Sequence, residues 1–241
     1  MSDGSLTIDG GTEEAVAVSK RNAWRDLRVA SEYEARRFAR PLARLKHRRD
    51  VALVLALLSG IPRVSRVLDL PSGTGRLLPA LHAAGFRSFG ADVALEMMRA
   101  GRRLNAEHAA LVQADATRLP FRSQAFDAVV SLRFLFHLSP EERRACLAEM
   151  RRVARGGVVL GEVRYRWNLK HAGRWLRSRL GLAARYRPSE GRVEIEQALA
   201  EAGLELVRLS PVSRLFSDKA FFLARPASSA RASTPAEVMV L

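Results

Sequence analysis

The apolar positions along the chain recur first at helical spacing and then in short blocks separated by amphipathic stretches. From Lys20 to Arg49, Trp24, Leu27, Ala30, Tyr33, Ala35 and Phe38 fall at three- and four-residue steps, which predicts helix. Val51–Leu58 predicts a second, buried helix that ends near Gly60 and Pro62. Strands are then expected over 67–70, 88–93, 110–114, 126–132 and 157–163, with helices over 76–84 and 94–104 between them. The helix after the fourth strand has a marked start: Ser139 as cap, Pro140 in the first position and Glu142 completing a capping box. A helix over 193–202 precedes two closing strands, 205–209 and 220–224. This alternation implies an α/β fold: a seven-stranded, mostly parallel sheet covered on both faces, closed by an antiparallel hairpin.

The flanks differ from this body. Residues 1–19 lack periodicity and 226–241 are rich in Ala, Ser and Pro, so both are expected to be flexible. The expected organisation is an arm (1–19), a helical cap (20–62), an α/β domain (63–225) and a tail (226–241). Met1–Gly11 is polar and acidic and lacks the pattern of a secretory signal, and no apolar run approaches the roughly 20 residues of a membrane span. Together with the single cysteine, Cys146, this points to a soluble, cytoplasmic protein without disulfides. The five histidines form no ligand spacing, so no metal is expected.

Charge adds a partner class. The formal net charge is +15, concentrated in residues 20–49 (11 basic, three acidic) and 163–187 (eight basic, no acid). Such segregation suits an acidic partner, although two solvated helical faces give the same count.

In open parallel sheets ligands bind beyond the carboxyl ends of the strands, so candidate chemistry lies just after each strand. The first strand runs into Asp69-Leu70-Pro71-Ser72-Gly73-Thr74-Gly75. Gly73 and Gly75 let the backbone approach a ligand closely. Leu78 stands where a nicotinamide fingerprint needs a third glycine, and the Gly-Lys-Ser/Thr of a phosphate loop is absent, which favours a ligand other than a dinucleotide pyrophosphate. Asp92 ends the second strand, where a carboxylate can accept from ribose hydroxyls, and Asp115 follows the third, where it can accept from an adenine amino group. A two-glycine turn also serves purely structural ends, and each acid alone is commonly a cap or loop residue. Three acids at successive strand ends favour a ligand.

The sequence resembles the class I S-adenosylmethionine-dependent methyltransferases, particularly their small type 11 branch, over about residues 64–163. The resemblance is carried by Val67 through Gly75, Gly90-Ala91-Asp92 with Met97-Met98, Ala114-Asp115-Ala116 with Leu119-Pro120-Phe121, Phe126 through Val130, and Arg152 through Gly157. It implies a Rossmann-like fold and S-adenosyl-L-methionine as cofactor. It places Gly73 and Gly75 at the methionine part, Asp92 at the ribose, Met97 on the adenine and Asp115 with Ala116 at the adenine edge, and it makes Asp69, Leu70, Pro71, Ser72 and Val93 further cofactor-binding candidates. Pro71 stands in place of the family's first turn glycine, so the entry to the turn is expected to differ.

Methyl transfer is an in-line displacement that relies on positioning and exclusion of water. A neutral hydroxyl acceptor also needs a base, for which His137 is the candidate, its alternative being a histidine bonded to backbone near the Ser139 cap. Arg133, at the end of the fourth strand, lines the cofactor or holds an acidic acceptor. The basic, aromatic stretch 163–187 falls where the family places substrate-specific insertions, which makes Arg164, Arg166, Trp167, Arg174 and Trp175 substrate candidates. Leu169, Ala172, Leu176 and Leu180 share one face of that stretch, which suits either docking on the domain or contact with the inner face of an anionic membrane. The expectation is a methyltransferase for a small, acidic or lipid-linked acceptor. An RNA or protein methyltransferase and a non-catalytic binding protein of the same fold are the alternatives.

Overall fold

The computed structural model describes residues 41–105, 109–165, 175–176, 179, 190–212, 217 and 219–227. The arm, the cap before Pro41, most of the basic insertion (Arg166, Trp167 and Arg174 among it) and the tail from Ser228 lie outside the described residues.

Seven strands form one sheet: β1 (Arg66–Asp69), β2 (Arg87–Asp92), β3 (Ala109–Gln113), β4 (Phe126–Ser131), β5 (Ala154–Arg164), β6 (Leu204–Pro211) and β7 (Lys219–Pro226). Their order is β3-β2-β1-β4-β5-β7-β6. The first five strands are parallel, and β7 inserts antiparallel between β5 and β6. The strand order reverses between β1 and β4, both starting from the middle of the sheet, so a crevice opens at their carboxyl ends.

Because side chains alternate across a strand, neighbouring apolar residues serve opposite faces. Leu68, Val129, Val159 and Phe222 pack on one face with Cys146, Leu147 and Met150 of α4 (Pro140–Val153) and Ile195 and Leu199 of α5 (Arg192–Glu201). Val67, Val130, Leu160 and Phe221 serve the other, against Val54, Leu57 and Leu58 of α1 (Pro41–Ser59) and Leu78 and Leu81 of α2 (Leu78–Ala83). The remaining helix, α3 (Leu95–Asn105), links β2 to β3. Near-continuous apolar runs are what a sheet buried on both sides requires.

The capping box forms as expected: Ser139 Oγ accepts the Glu142 N–H, and Glu142 accepts the Ser139 N–H. One expectation is corrected. The helix does not end at Arg49 and restart at Val51; α1 is continuous through Asp50. That carboxylate is buried inside the helix yet matched from outside, by Lys219 Nζ at 3.2 Å, so the polar residue interrupts nothing.

Candidate active site

Asp69 is the last residue of β1 and Asp92 the last of β2. Both are buried. Between them lies the glycine turn, with Gly73 and Gly75 at φ +55° and +70°, a region that side chains rarely adopt. The turn is held by its own amides. Ser72 N–H donates to Ala91 O at 2.9 Å, Gly75 N–H to Ser72 O at 2.8 Å, and Gly73 N–H to Asp92 Oδ2 at 2.7 Å. Pro71, reached through a cis peptide from Leu70, lacks an N–H, and none is called for there.

Helix α2 starts only at Leu78, two residues later than expected, because the turn occupies the chain up to that point. Its six residues leave the loop itself, rather than a helix dipole, to shape this part of the crevice.

Asp92 also accepts the Ala94 N–H on Oδ1 at 2.8 Å. A carboxylate has about four lone-pair sites, so acceptor capacity remains for a ligand hydroxyl. Ser72 Oγ is buried without a hydrogen-bond partner, beside the α-carbon of Gly90. Met97 is buried next to Ala94, with its methyl group against the α-carbon of Gly73. Val93, by contrast, is exposed at the mouth, as is Leu95. Asp115 lies two residues beyond β3 and is exposed, with Oδ1 accepting from Thr117 N and Oγ1 at 2.8 and 2.7 Å. Ala116 beside it is buried. The loop that follows is clamped from α4: Leu119 N–H donates to Glu149, and Arg152 donates to the Leu119 and Phe121 carbonyls.

Burial pushes the Asp69 carboxyl up to about 8, the Asp92 charge adds to the rise, and Arg133 opposes it. Asp92 is raised as well, by burial, against its backbone bonds from Ala94, Gly73 and Val93. The crevice therefore holds two adjacent carboxyls that a cation would stabilise in ionised form. Cys146 is the opposite case, its thiol buried and pushed up to about 12, hence inert.

Beyond β4 the chain turns sharply at Arg133, whose φ is +57°. Its N–H donates to Glu162 Oε2 at 3.2 Å, and its guanidinium lies 3.3 Å from His47 Nδ1. Glu162 is buried on β5, with Oε1 2.8 Å from Lys219 Nζ, an ionic contact rather than an aligned hydrogen bond. Lys219 thus joins Glu162 of the sheet to Asp50 of α1. Sequence reasoning missed this group. Its signals were a lone acid in an apolar strand and one of only four lysines among 40 basic residues.

His137 ends a short 3-10 helix (Leu135–His137), exposed, with its ring 4.5 Å from that of Phe136. Arg164, at the end of β5, stacks on Phe136 at 4.6 Å. Trp175 is exposed under the Arg179 guanidinium at 5.4 Å. The structure thus gathers Asp69, Ser72, Gly73, Asp92 and Met97 around the turn, and Arg133 meets them from β4.

This strand order, with the glycine turn after β1 and an inserted antiparallel β7, defines the class I methyltransferase fold. Residues 67–157 match the sequence model described as "Methyltransferase domain". Among similar proteins is the demethylmenaquinone methyltransferase of Roseiflexus sp. (strain RS-1), 36% identical over 124 residues, 49% of this chain and 51% of that protein. The protein of the same name from Roseiflexus castenholzii is 34% identical over 155 residues, 62% and 63% of the two chains. The chain thus spans about half to three fifths of these relatives' lengths. Among solved structures, the magnesium protoporphyrin IX methyltransferase of Synechocystis PCC 6803 superposes with a TM-score of 0.69 at 18% identity, over 87% of this chain and 99% of that one.

Proposed function

We propose that this chain transfers a methyl group from S-adenosyl-L-methionine to a small, lipid-linked acceptor. The observation that carries the reading is the pair of buried carboxyls, Asp69 and Asp92, flanking a turn shaped by Gly73 and Gly75. Asp92 keeps acceptor capacity for a ribose hydroxyl beside its amide bonds. Ser72 supplies a buried hydroxyl in want of a partner, and Asp69 a carboxyl whose ionisation a cation would favour. Val93, Met97 and Ala116 offer apolar surface for the nucleobase, with Asp115 at its rim. These residues fit the cofactor, which supplies an electrophilic methyl group on a cationic sulfur.

The acceptor side is the edge formed by Arg133, Phe136, His137 and Arg164. His137, exposed at this edge, is the base proposed for a neutral hydroxyl acceptor, whereas an acceptor that is already ionised needs none. The basic insertion, with Arg166, Trp167, Arg174 and Trp175, is proposed to cover the acceptor. The lipid-linked class is supported by the named activity of the Roseiflexus relatives.

Calorimetry with S-adenosylmethionine tests the cofactor. Binding in the micromolar range, lost in Asp92→Ala, is expected; equal heats from the two proteins would refute it. Labelled methyl transfer to reduced demethylmenaquinone in micelles, to phospholipid and to tRNA then separates the acceptor classes. Label on tRNA alone would replace the lipid-linked reading.

A further inference from the structure

We infer that the acceptor is bound and methylated as an anion, its charge received by Arg133, and not by proton removal to a buried base of the enzyme. The inference rests on the methyltransferase reading and narrows its acceptor.

The groups packed at this end of β1, β4, β5 and β7 leave no buried base at hand. Glu162 is 1% exposed, with one oxygen against the Lys219 ammonium and the other on the Arg133 N–H. Asp50 Oδ2 is held by the same ammonium. Asp69, at the end of β1, is the carboxyl proposed to face the cationic cofactor, whose charge would hold it ionised and weaken it as a base. His47 is hemmed by burial and by Arg76, Arg133 and Lys219, against which Asp50 alone counts in its favour, and its pKa is lowered to about 4. Its Nδ1 faces an arginine N–H, so it serves as an acceptor for Arg133. A ring so weakly basic removes few protons from a hydroxyl.

The cation is placed differently. Lys219 is matched by two carboxylates, but the Arg133 guanidinium meets a neutral imidazole. Among the described residues no carboxylate forms an ion pair with it, although Asp69 feels its field. The left-handed backbone at Arg133 is held by its N–H bond to Glu162. Glu162, Lys219 and Asp50 are therefore positioning residues, and Arg133 presents a guanidinium that no described carboxylate pairs with, near enough to Asp69 to act on it. An ionised phenol or enol fits there.

The step balances without an enzyme base. The acceptor's anionic oxygen or carbon forms the bond to the methyl carbon as the sulfur–methyl bond breaks, and that electron pair stays on sulfur. A positive and a negative charge vanish together. A carbon acceptor afterwards loses its ring proton to water.

The test uses the full chain and 2-naphthol, whose neutral and ionised forms absorb differently, with calorimetry of S-adenosylhomocysteine on the same samples. In saturating wild-type protein the naphthol should ionise about one pH unit or more below its free value. Arg133→Met should abolish that displacement, and Arg133→Lys should restore part of it, which separates charge from folding. An undisplaced midpoint, absence of naphthol uptake, or an Arg133→Met protein behaving like wild type would overturn the inference. If S-adenosylhomocysteine still binds, only the anionic acceptor falls. If it does not bind wild type, the methyltransferase reading falls too.

Discussion

Asp92 Oδ2 accepts the backbone N–H of Gly73 at 2.7 Å, tying the end of β2 to the turn that follows β1. The same carboxylate accepts the Ala94 N–H, so one side chain fixes both walls of the crevice. Asp92→Ala leaves the buried Ala94 amide and the part-buried Gly73 amide without acceptors, at about 1–3 kcal/mol for the buried one before relaxation. The expected outcome is a drop in thermal midpoint together with cofactor affinity weakened at least about 100-fold, read by scanning calorimetry and by titration.

Asp69 links binding and stability to pH. Its carboxyl is raised from 3.8 to about 8 in the folded protein, so the native state holds a proton that the unfolded chain has released. Stability from this group is full below about pH 4 and is lost as pH rises towards 8. Asp69→Asn should therefore flatten that fall in the unliganded protein, measured by denaturation at pH 6 and 9. Wild-type binding of the cationic cofactor should strengthen up to about tenfold per pH unit towards pH 8, with proton release. Calorimetry in buffers of different ionisation heat reads that release, and the Asn variant should lose it.

Gly101 in α3 lies against the backbone of Thr74: an added Cβ would come within 2.3 Å of the Thr74 carbonyl oxygen. Backbone cannot swing aside as a side chain does. Gly101→Ala should cost about 2 kcal/mol and weaken cofactor binding by displacing the turn. Gly60→Ala meets nothing nearer than 3.6 Å and should be neutral or stabilising by about 0.5 kcal/mol. Paired melting curves of the two variants check this.

Lys219 is 32% exposed while its partner Glu162 is buried to 1%. Lys219→Met should destabilise by about 2 kcal/mol, less than the loss from a fully buried pair because water reaches the ammonium. High salt should not mimic the substitution, since the buried carboxylates are screened little. Denaturant titrations in 0.1 and 1 M salt are the measurement.

Much of this arrangement is legible in the chain. The carboxyl ends of the strands are legible to within a residue or two because alternation between apolar blocks and turns marks them, and Asp69 and Asp92 stand at two of them, whereas β5 begins at Ala154, three residues before the expected start. The Ser139 cap was equally plain, since its three residues are local. What could not be read depends on distance along the chain. Lys219 and Asp50 are 169 positions apart, and nothing near either announces the other. Asp50 instead looked like the end of a helix, because a buried ion pair and a helix terminus both put a charge next to apolar residues. His47 carried no sign of its nearness to Arg133, which comes from α1 crossing the end of β4.

The Lys219 contacts also bear on how the protein can be shortened. A version starting at Gly60, chosen to keep only the part that matches the methyltransferase domain, would remove Asp50 and His47 along with α1. Leu58 and Val54 would go with them, baring a strip of the sheet to solvent. Such a fragment would be expected to clump in solution, so minimal versions for crystallisation should retain the chain from Pro41 onward.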